Sequence, residues 1–141
     1  MGSKSLAIIK PDAMRANHFG KIIDRILDAG FKISELRMER LTLPQAETFY
    51  AVHKERPFFG ELTAFMSSGP IMPMALDKAD AVAAFRDLIG ATNPADAAEG
   101  TLRKEFATSV GENAIHGSDS DENAEKEVAF FFSANDIPDN L

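Results

Sequence analysis

Ile71-Met72-Pro73-Met74-Ala75-Leu76 follows the turn Ser67-Ser68-Gly69-Pro70, and the fold depends on how it is read. As a strand over 71–76 it opens a second strand-helix-strand unit that repeats one earlier in the chain. Pro73 weighs against a central position, because proline has no N–H to give to a ladder. Even so, a short apolar run bounded by turn residues is read as a strand.

Upstream, Leu6-Ala7-Ile8-Ile9 is an apolar run ended by Lys10-Pro11-Asp12, a buried strand leaving its sheet. Phe19, Ile22, Ile23, Ile26 and Leu27 recur at helical spacing, and Gly30 suits the position just past a helix end. Phe31, Ile33, Leu36, Met38 and Leu41 form a second strand, whose alternation slips between Ile33 and Leu36 and predicts a bulge. Leu43-Pro44 opens a helix reaching Tyr50 and Val52, and Arg56-Pro57-Phe58-Phe59-Gly60 leads into another through Phe65 and Met66.

Downstream, Asp77 can cap a helix over 79–89 that Gly90 closes. Residues 91–111 carry Pro94 and Gly100 without clear periodicity, the mark of a functional loop or of elements assigned wrongly. Ala114-Ile115-His116 makes a fourth, short strand, 122–131 a helix, and the tail from Asn135, with Pro138, a surface extension. The order is βαββαβ. A four-stranded antiparallel sheet with helices over one face would bury the apolar stripes, giving a ferredoxin-like α+β domain with one long irregular loop. No repeat or linker interrupts it, so 1–141 is read as a single domain.

The chain has 141 residues, 45% of them hydrophobic, enough for a real core. It has no cysteine, which excludes disulfides, thiolate metal sites and cysteine nucleophiles. No apolar run reaches the roughly 20 residues needed to span a bilayer, so a soluble cytoplasmic protein with no membrane partner is expected. A net charge of −7 argues against general nucleic-acid binding. An acidic protein that handles phosphate must gather its few cations locally; Lys10, Arg86 and Arg103 are the candidates.

Asn113-Ala114-Ile115-His116-Gly117-Ser118-Asp119-Ser120 carries the strongest chemical signal. It sets an imidazole between an apolar anchor and a small polar turn. Histidine titrates nearest neutrality and can attack an electrophile at cellular pH. The acidic run Asp119 to Asn123 imitates a calcium loop, but Ala124 stands where glycine is required and Phe130 where the bidentate glutamate belongs. Those acids suit a helix N-terminus instead. No Gly-rich phosphate loop or nucleophile elbow is present.

The sequence resembles the nucleoside diphosphate kinases, of bacterial type, from Leu6 to about Phe132. The matching landmarks are Ile9-Lys10-Pro11-Asp12, Glu55-Arg56-Pro57-Phe58-Phe59, Ser68-Gly69-Pro70, Gly90-Ala91-Thr92-Asn93-Pro94, Gly100-Thr101-Leu102-Arg103 and the His116 signature. The resemblance implies ping-pong transfer of the γ-phosphate from a nucleoside triphosphate such as ATP to a nucleoside diphosphate, with Mg2+ on the phosphates. It implies that His116 carries the phosphoryl group and that Glu127 and Ser118 orient its ring. Arg86, Thr92 and Arg103 would hold phosphate oxygens, with His53 an extra contact. Lys10 and Asn113 would reach the sugar 3′-hydroxyl, Lys10 also the phosphate in flight, and Tyr50 would support the site. Phe58 and Val110 would sandwich the base, which reads no base edge and so admits purines and pyrimidines alike. It further suggests a homodimer or homotetramer built through the strand over 31–41. Two departures are visible: Leu76-Asp77-Lys78-Ala79 stands where the family often has Glu-Gly, and Pro73 is unusual. A non-catalytic RNA-binding module on the same fold is the competing reading. It would require a basic-aromatic sheet face, and this acidic chain shows no such stretch.

Overall fold

Strand β1 (Lys4–Ile9) runs through the middle of the sheet, and its last four residues are all buried. Four consecutive apolar residues do not alternate, so both faces of this strand must be covered. The computed structural model describes residues 2–132. In chain order β1 is followed by α1 (Pro11–Arg15), α2 (Phe19–Asp28), β2 (Lys32–Leu36), α3 (Leu43–Phe49) and α4 (Phe59–Met66). Then come β3 (Met72–Asp77), α5 (Ala81–Ile89), α6 (Leu102–Phe106), β4 (Ile115–Gly117) and α7 (Asp121–Phe131). The sheet order is β2-β3-β1-β4, with every pair antiparallel. This is the expected α+β, ferredoxin-like arrangement. The surface extension expected from Asn135 lies outside the described residues.

The helical cover differs from expectation. Ala7, Ile9, Met72, Met74, Leu76 and Ile115 face α2 and α5, while Leu6, Ile8 and Ala75 pack with Ala46, Tyr50, Met66, Val128 and Phe131 from the α3–α4–α7 side. Helices therefore cover both faces. The unbroken apolar run in β1 was the available sign of it.

Pro73 sits in an inner strand, contrary to the expectation raised by its missing N–H. It pairs with Ile8 of β1, and its carbonyl points the other way, accepting the Arg37 N–H at 3.1 Å. The bond that proline cannot make therefore lies on the β2 side, where past Leu36 the pairing thins to that Arg37 bond and a bridge between Glu39 and Ile71. The ladder to β1 is untouched. The predicted bulge is present: the β2–β3 register shifts between Ile33 and Glu35, and the buried Ser34 hydroxyl donates to the Ala75 carbonyl at 3.2 Å.

Asp77 does not cap the next helix; it is the last residue of β3 and pairs with Lys4. The helix starts at Ala81, after Asp80 in the left-handed region. Lys78 donates to the Ala29 carbonyl at the end of α2 (3.2 Å) and lies over the Phe31 ring. The departure at 77–78 thus ties β3 to its neighbours. Gly90 closes α5 at φ 87°, where a Cβ would come within 2.7 Å of Thr101. The segment over 91–111 contains a 3-10 turn at Pro94–Asp96 and the short α6, whose N-cap Thr101 accepts the Lys104 N–H.

Candidate active site

β4 lies beside the end of β1 from which the chain leaves the sheet, so everything attached there converges. Opposed residues of an antiparallel pair share a face. His116 stands opposite Ile8, which belongs to the α3–α4–α7 layer, and so its ring points toward that layer. Gly117 follows it because a Cβ there would meet Phe85 at 2.9 Å and hold β4 away from α5.

The ring is sheltered but reachable, its side chain 17% exposed. Nε2 lies 2.9 Å from Oε1 of Glu127 on α7. A carboxylate accepts but does not donate, so this contact puts the proton on Nε2 and leaves the Nδ1 lone pair open. The Ser118 hydroxyl donates to the same Oε1 at 2.8 Å, and its oxygen accepts the Leu6 N–H at 3.0 Å. The carboxylate is thereby fixed to the central strand. Phe49 and Tyr50 present ring edges to the imidazole, with centroids 5.7 and 6.4 Å away. Burial, and secondarily the charge of Glu127, pushes the Tyr50 hydroxyl above its ordinary pKa and keeps it neutral.

Cations gather on the other side. Lys10 is buried, and its Nζ donates to Asn113 Oδ1 at 2.8 Å, while Asn113 Nδ2 donates to the Thr92 carbonyl at 3.2 Å. Burial, followed by the charge of Arg103, lowers the Lys10 pKa to about 8, against the opposing pull of Asp12. Arg103 is also buried. It donates to the carbonyls of Gly90 (3.0 Å) and Ile115 (2.8 Å), tying the end of α5 to β4. Burial and then Arg86 lower its pKa to about 10, so it is still charged at neutral pH. Arg103 is near enough to depress Lys10, and Arg86 near enough to depress Arg103, so the three cations form a site suited to a polyanion.

A cleft of about 970 Å³ is lined by His116, Glu127, Lys10, Tyr50, His53, Phe58, Arg86, Thr92, Arg103, Val110 and Asn113. Of the residues expected in the site only Ser118 is off its wall, and it reaches the cleft through Glu127. Phe58 and Val110 are about half exposed, and His53 lies 5.5 Å from the Phe58 ring. Arg103 falls in the stretch expected to be irregular but sits on α6, and no sequence signal marks its backbone ties because their partners are carbonyls. Phe49 was also missed, although its position next to Tyr50 on α3 was a usable signal.

Asp12 was missed as well. Ala114, just before β4, has φ 72°, a left-handed conformation that costs a non-glycine residue about 1–3 kcal/mol. It is the middle of a three-residue turn in which the Ile115 N–H donates to the Asn113 carbonyl at 2.8 Å. The Ala114 N–H donates to Asp12 Oδ2 (3.0 Å) and its carbonyl accepts the Lys10 N–H (2.9 Å).

The model of the family described as "Nucleoside diphosphate kinase" matches residues 3–137. A nucleoside diphosphate kinase from Flavobacterium psychrophilum is 57% identical over 131 residues, 93% of this chain and 94% of that protein. The solved Aquifex aeolicus nucleoside diphosphate kinase is similar with a TM-score of 0.95 at 46% identity, covering 96% of this chain and 99% of that one. A halophilic nucleoside diphosphate kinase from Halobacterium salinarum, in complex with CDP, gives a TM-score of 0.93 at 35% identity over 99% and 93% of the two chains.

Proposed function

Because the chain belongs to the nucleoside diphosphate kinase family, we propose that its kinase reaction runs in two halves through a phosphohistidine on His116. The observation that carries this reading is the Nε2 contact with Glu127, which leaves the Nδ1 lone pair unprotonated on a residue that lines the same cleft as Lys10, Arg86 and Arg103. In the first half Nδ1 attacks the γ-phosphorus of a nucleoside triphosphate such as ATP. The N–P bond forms as the bond from phosphorus to the β-γ bridging oxygen breaks, and the diphosphate leaves with that electron pair. In the second half a terminal oxygen of another nucleoside diphosphate attacks the same phosphorus, and the imidazole departs.

Glu127 and Ser118 hold the ring, and Tyr50 backs it. Arg86, Thr92 and Arg103, with His53, hold phosphate oxygens as charge spreads over them. Lys10 and Asn113 take the sugar 3′-hydroxyl. Phe58 and Val110 stack on the base, a contact every base offers, so ribo- and deoxynucleotides of any base are substrates. Among the described residues no three His, Asp or Glu side chains are grouped to hold a metal. In this reading Mg2+ would arrive on the nucleotide phosphates and neutralise part of their charge. The assembly follows from the same reading: β2 is an edge strand with Leu36 exposed, as is Met38 just beyond its end, and it would join copies into a homodimer, or a homotetramer of paired dimers. No described helix is long and apolar enough to cross a membrane; a cytoplasmic location and a single domain over 1–141 belong to this reading.

The test separates the halves. Incubation with γ-labelled ATP alone should leave acid-labile, base-stable label on the protein, and adding a diphosphate should then remove it as triphosphate. Label that forms only when both nucleotides are present would exclude the covalent route.

The two buried cations give further expectations. Lys10 titrates at about 8 in the fold and near 10.5 unfolded. Its charge on the phosphates is lost above about pH 8, so kcat/KM should decline there, and the decline should vanish in Lys10→Met. Between those two values the unfolded chain binds more protons, so Lys10 weakens the fold below pH 8 and the penalty fades as pH rises toward 10.5. Lys10→Met should hence raise Tm at pH 7 by more than at pH 10, less what the lost Asn113 bond takes back. A Tm that falls equally at both would contradict the buried charge. Arg103→Ala should lower turnover about 10²-fold and also lower Tm, because the Gly90 and Ile115 carbonyls lose a donor. The purine-to-pyrimidine preference should not change; a shift in that ratio would place Arg103 at the base.

A further inference from the structure

We propose that Asp12 is a positioning residue, holding the Asn113–Ala114–Ile115 turn in its left-handed form so that Asn113 and His116 are presented together to the cleft. The inference rests on the reading of His116 as phosphoryl carrier. Three bonds fix the turn: Ile115 N–H to the Asn113 carbonyl, Lys10 N–H to the Ala114 carbonyl, and Ala114 N–H to Asp12 Oδ2. The first two join backbone to backbone, so only the third depends on a side chain. Asn113, Ala114 and Ile115 are all buried, and water cannot replace the carboxylate as acceptor. The Ala114 methyl group packs in the α2–α5 core, which explains why alanine, with its unfavourable φ, stands at a position where glycine would be relaxed.

The clamp is reciprocal. Lys10, Pro11 and Asp12 form the corner between β1 and α1, and that corner grips Ala114 on both its N–H and its C=O sides. Without the carboxylate, the Asn113–Ala114 peptide is held only through its carbonyl, and its buried N–H has no acceptor, which drives it toward a relaxed conformation. That rotation carries Asn113 Oδ1 away from Lys10 Nζ, 2.8 Å apart in the fold, and shifts the start of the strand bearing His116. A displacement of about 1 Å in a reacting group costs about 10²-fold in rate. Asp12 also sits beside Lys10, so a purely electrostatic role has to be separated from the clamp. Asparagine does this: its amide oxygen accepts the Ala114 N–H but carries no charge.

The experiment is single-turnover labelling of His116 by γ-labelled ATP, below the Tm of each variant. Asp12→Ala should label about 10²-fold more slowly than wild type at saturating nucleotide, with nucleotide affinity falling by less than tenfold, because Arg86, Arg103 and Phe58 stay in the cleft while the Asn113 sugar contact shifts. Asp12→Asn should stay within about fivefold of wild type. Should Asp12→Ala fail to fold, the Ala114→Gly background supplies the comparison, since its turn carries no strain; there Asp12→Ala should cost less than tenfold. Wild-type labelling rates in Asp12→Ala would overturn the proposal, as would Asp12→Asn proving as slow as Asp12→Ala. A cost of tenfold or more in the glycine background would also overturn it. In each of those cases wild-type labelling still stands. If the wild type takes no label, the carrier reading itself fails and this proposal falls with it.

Discussion

His116→Ala should take up no label from γ-labelled ATP and should lose at least about 10⁴-fold in turnover, because the group that accepts phosphorus is gone while the rest of the cleft remains. The fold should tolerate the change. The ring stands at the cleft surface on a sheet edge, and its contacts are one hydrogen bond and two ring edges. Nucleotide affinity, carried by the cations and by Phe58, should fall less than threefold. The chain has two further histidines, His18 and His53, and they make the test sharper. His18 stacks on Phe106 at 5.0 Å, and only His53 shares the cleft with His116. His53→Ala should therefore keep its label. A labelled His116→Ala that went dark when His53 was also removed would transfer the chemistry to the wrong side of the cleft and end the account given for Glu127.

Local signals carried most of the architecture. Ile22 and Ile26 at helical spacing put α2 where it is, and Gly90 marked the end of α5 because no other residue takes φ 87° so close to Thr101. The slip between Ile33 and Leu36 pointed to a bulge for the same reason the structure has one: alternation fixes which side chains face the core. Pro73 misled because a missing N–H costs a ladder only on the side it faces, and here that side is the thinning end of the β2 pairing, not the ladder to β1. Asp77 misled in a similar way. Aspartate is a good helix cap, but the strand pairing with Lys4 claimed it first.

In the site, residue types were legible and their connections were not. Lys10, Asn113 and His116 could be named from motif order. Arg103 gripping two backbone carbonyls, Ser118 linking Leu6 to Glu127, and Asp12 holding Ala114 join residues 9 to 112 positions apart. Backbone N–H and C=O groups look alike in every sequence, so such partnerships leave no trace until the chain is folded.

The same consideration makes Glu127→Gln more damaging than its near-identical shape suggests. Glu127 Oε1 accepts from both the imidazole Nε2 and the Ser118 hydroxyl, two donors on one oxygen, as suits a full negative charge. Glutamine offers a neutral oxygen and an NH2. If the oxygen keeps Ser118, the NH2 turns toward the ring and donates to Nε2, which moves the ring proton to Nδ1, the atom that has to attack. If the oxygen keeps Nε2, the tautomer survives but the charge that steadies the phosphorylated, cationic ring is lost. Replacing the carboxylate behind a catalytic histidine by its amide has cost about 10⁴-fold where the wrong tautomer results. Glu127→Gln should accordingly slow His116 labelling by about 10²–10⁴-fold, with nucleotide affinity nearly constant, since no phosphate contact is touched. Nitrogen NMR of the imidazole should show the proton on Nε2 in the wild type and a growing Nδ1–H population in the variant. A variant that labels at the wild-type rate with its proton still on Nε2 would mean that the carboxylate only fills space, and that the ring is aimed by Phe49 and Tyr50 alone.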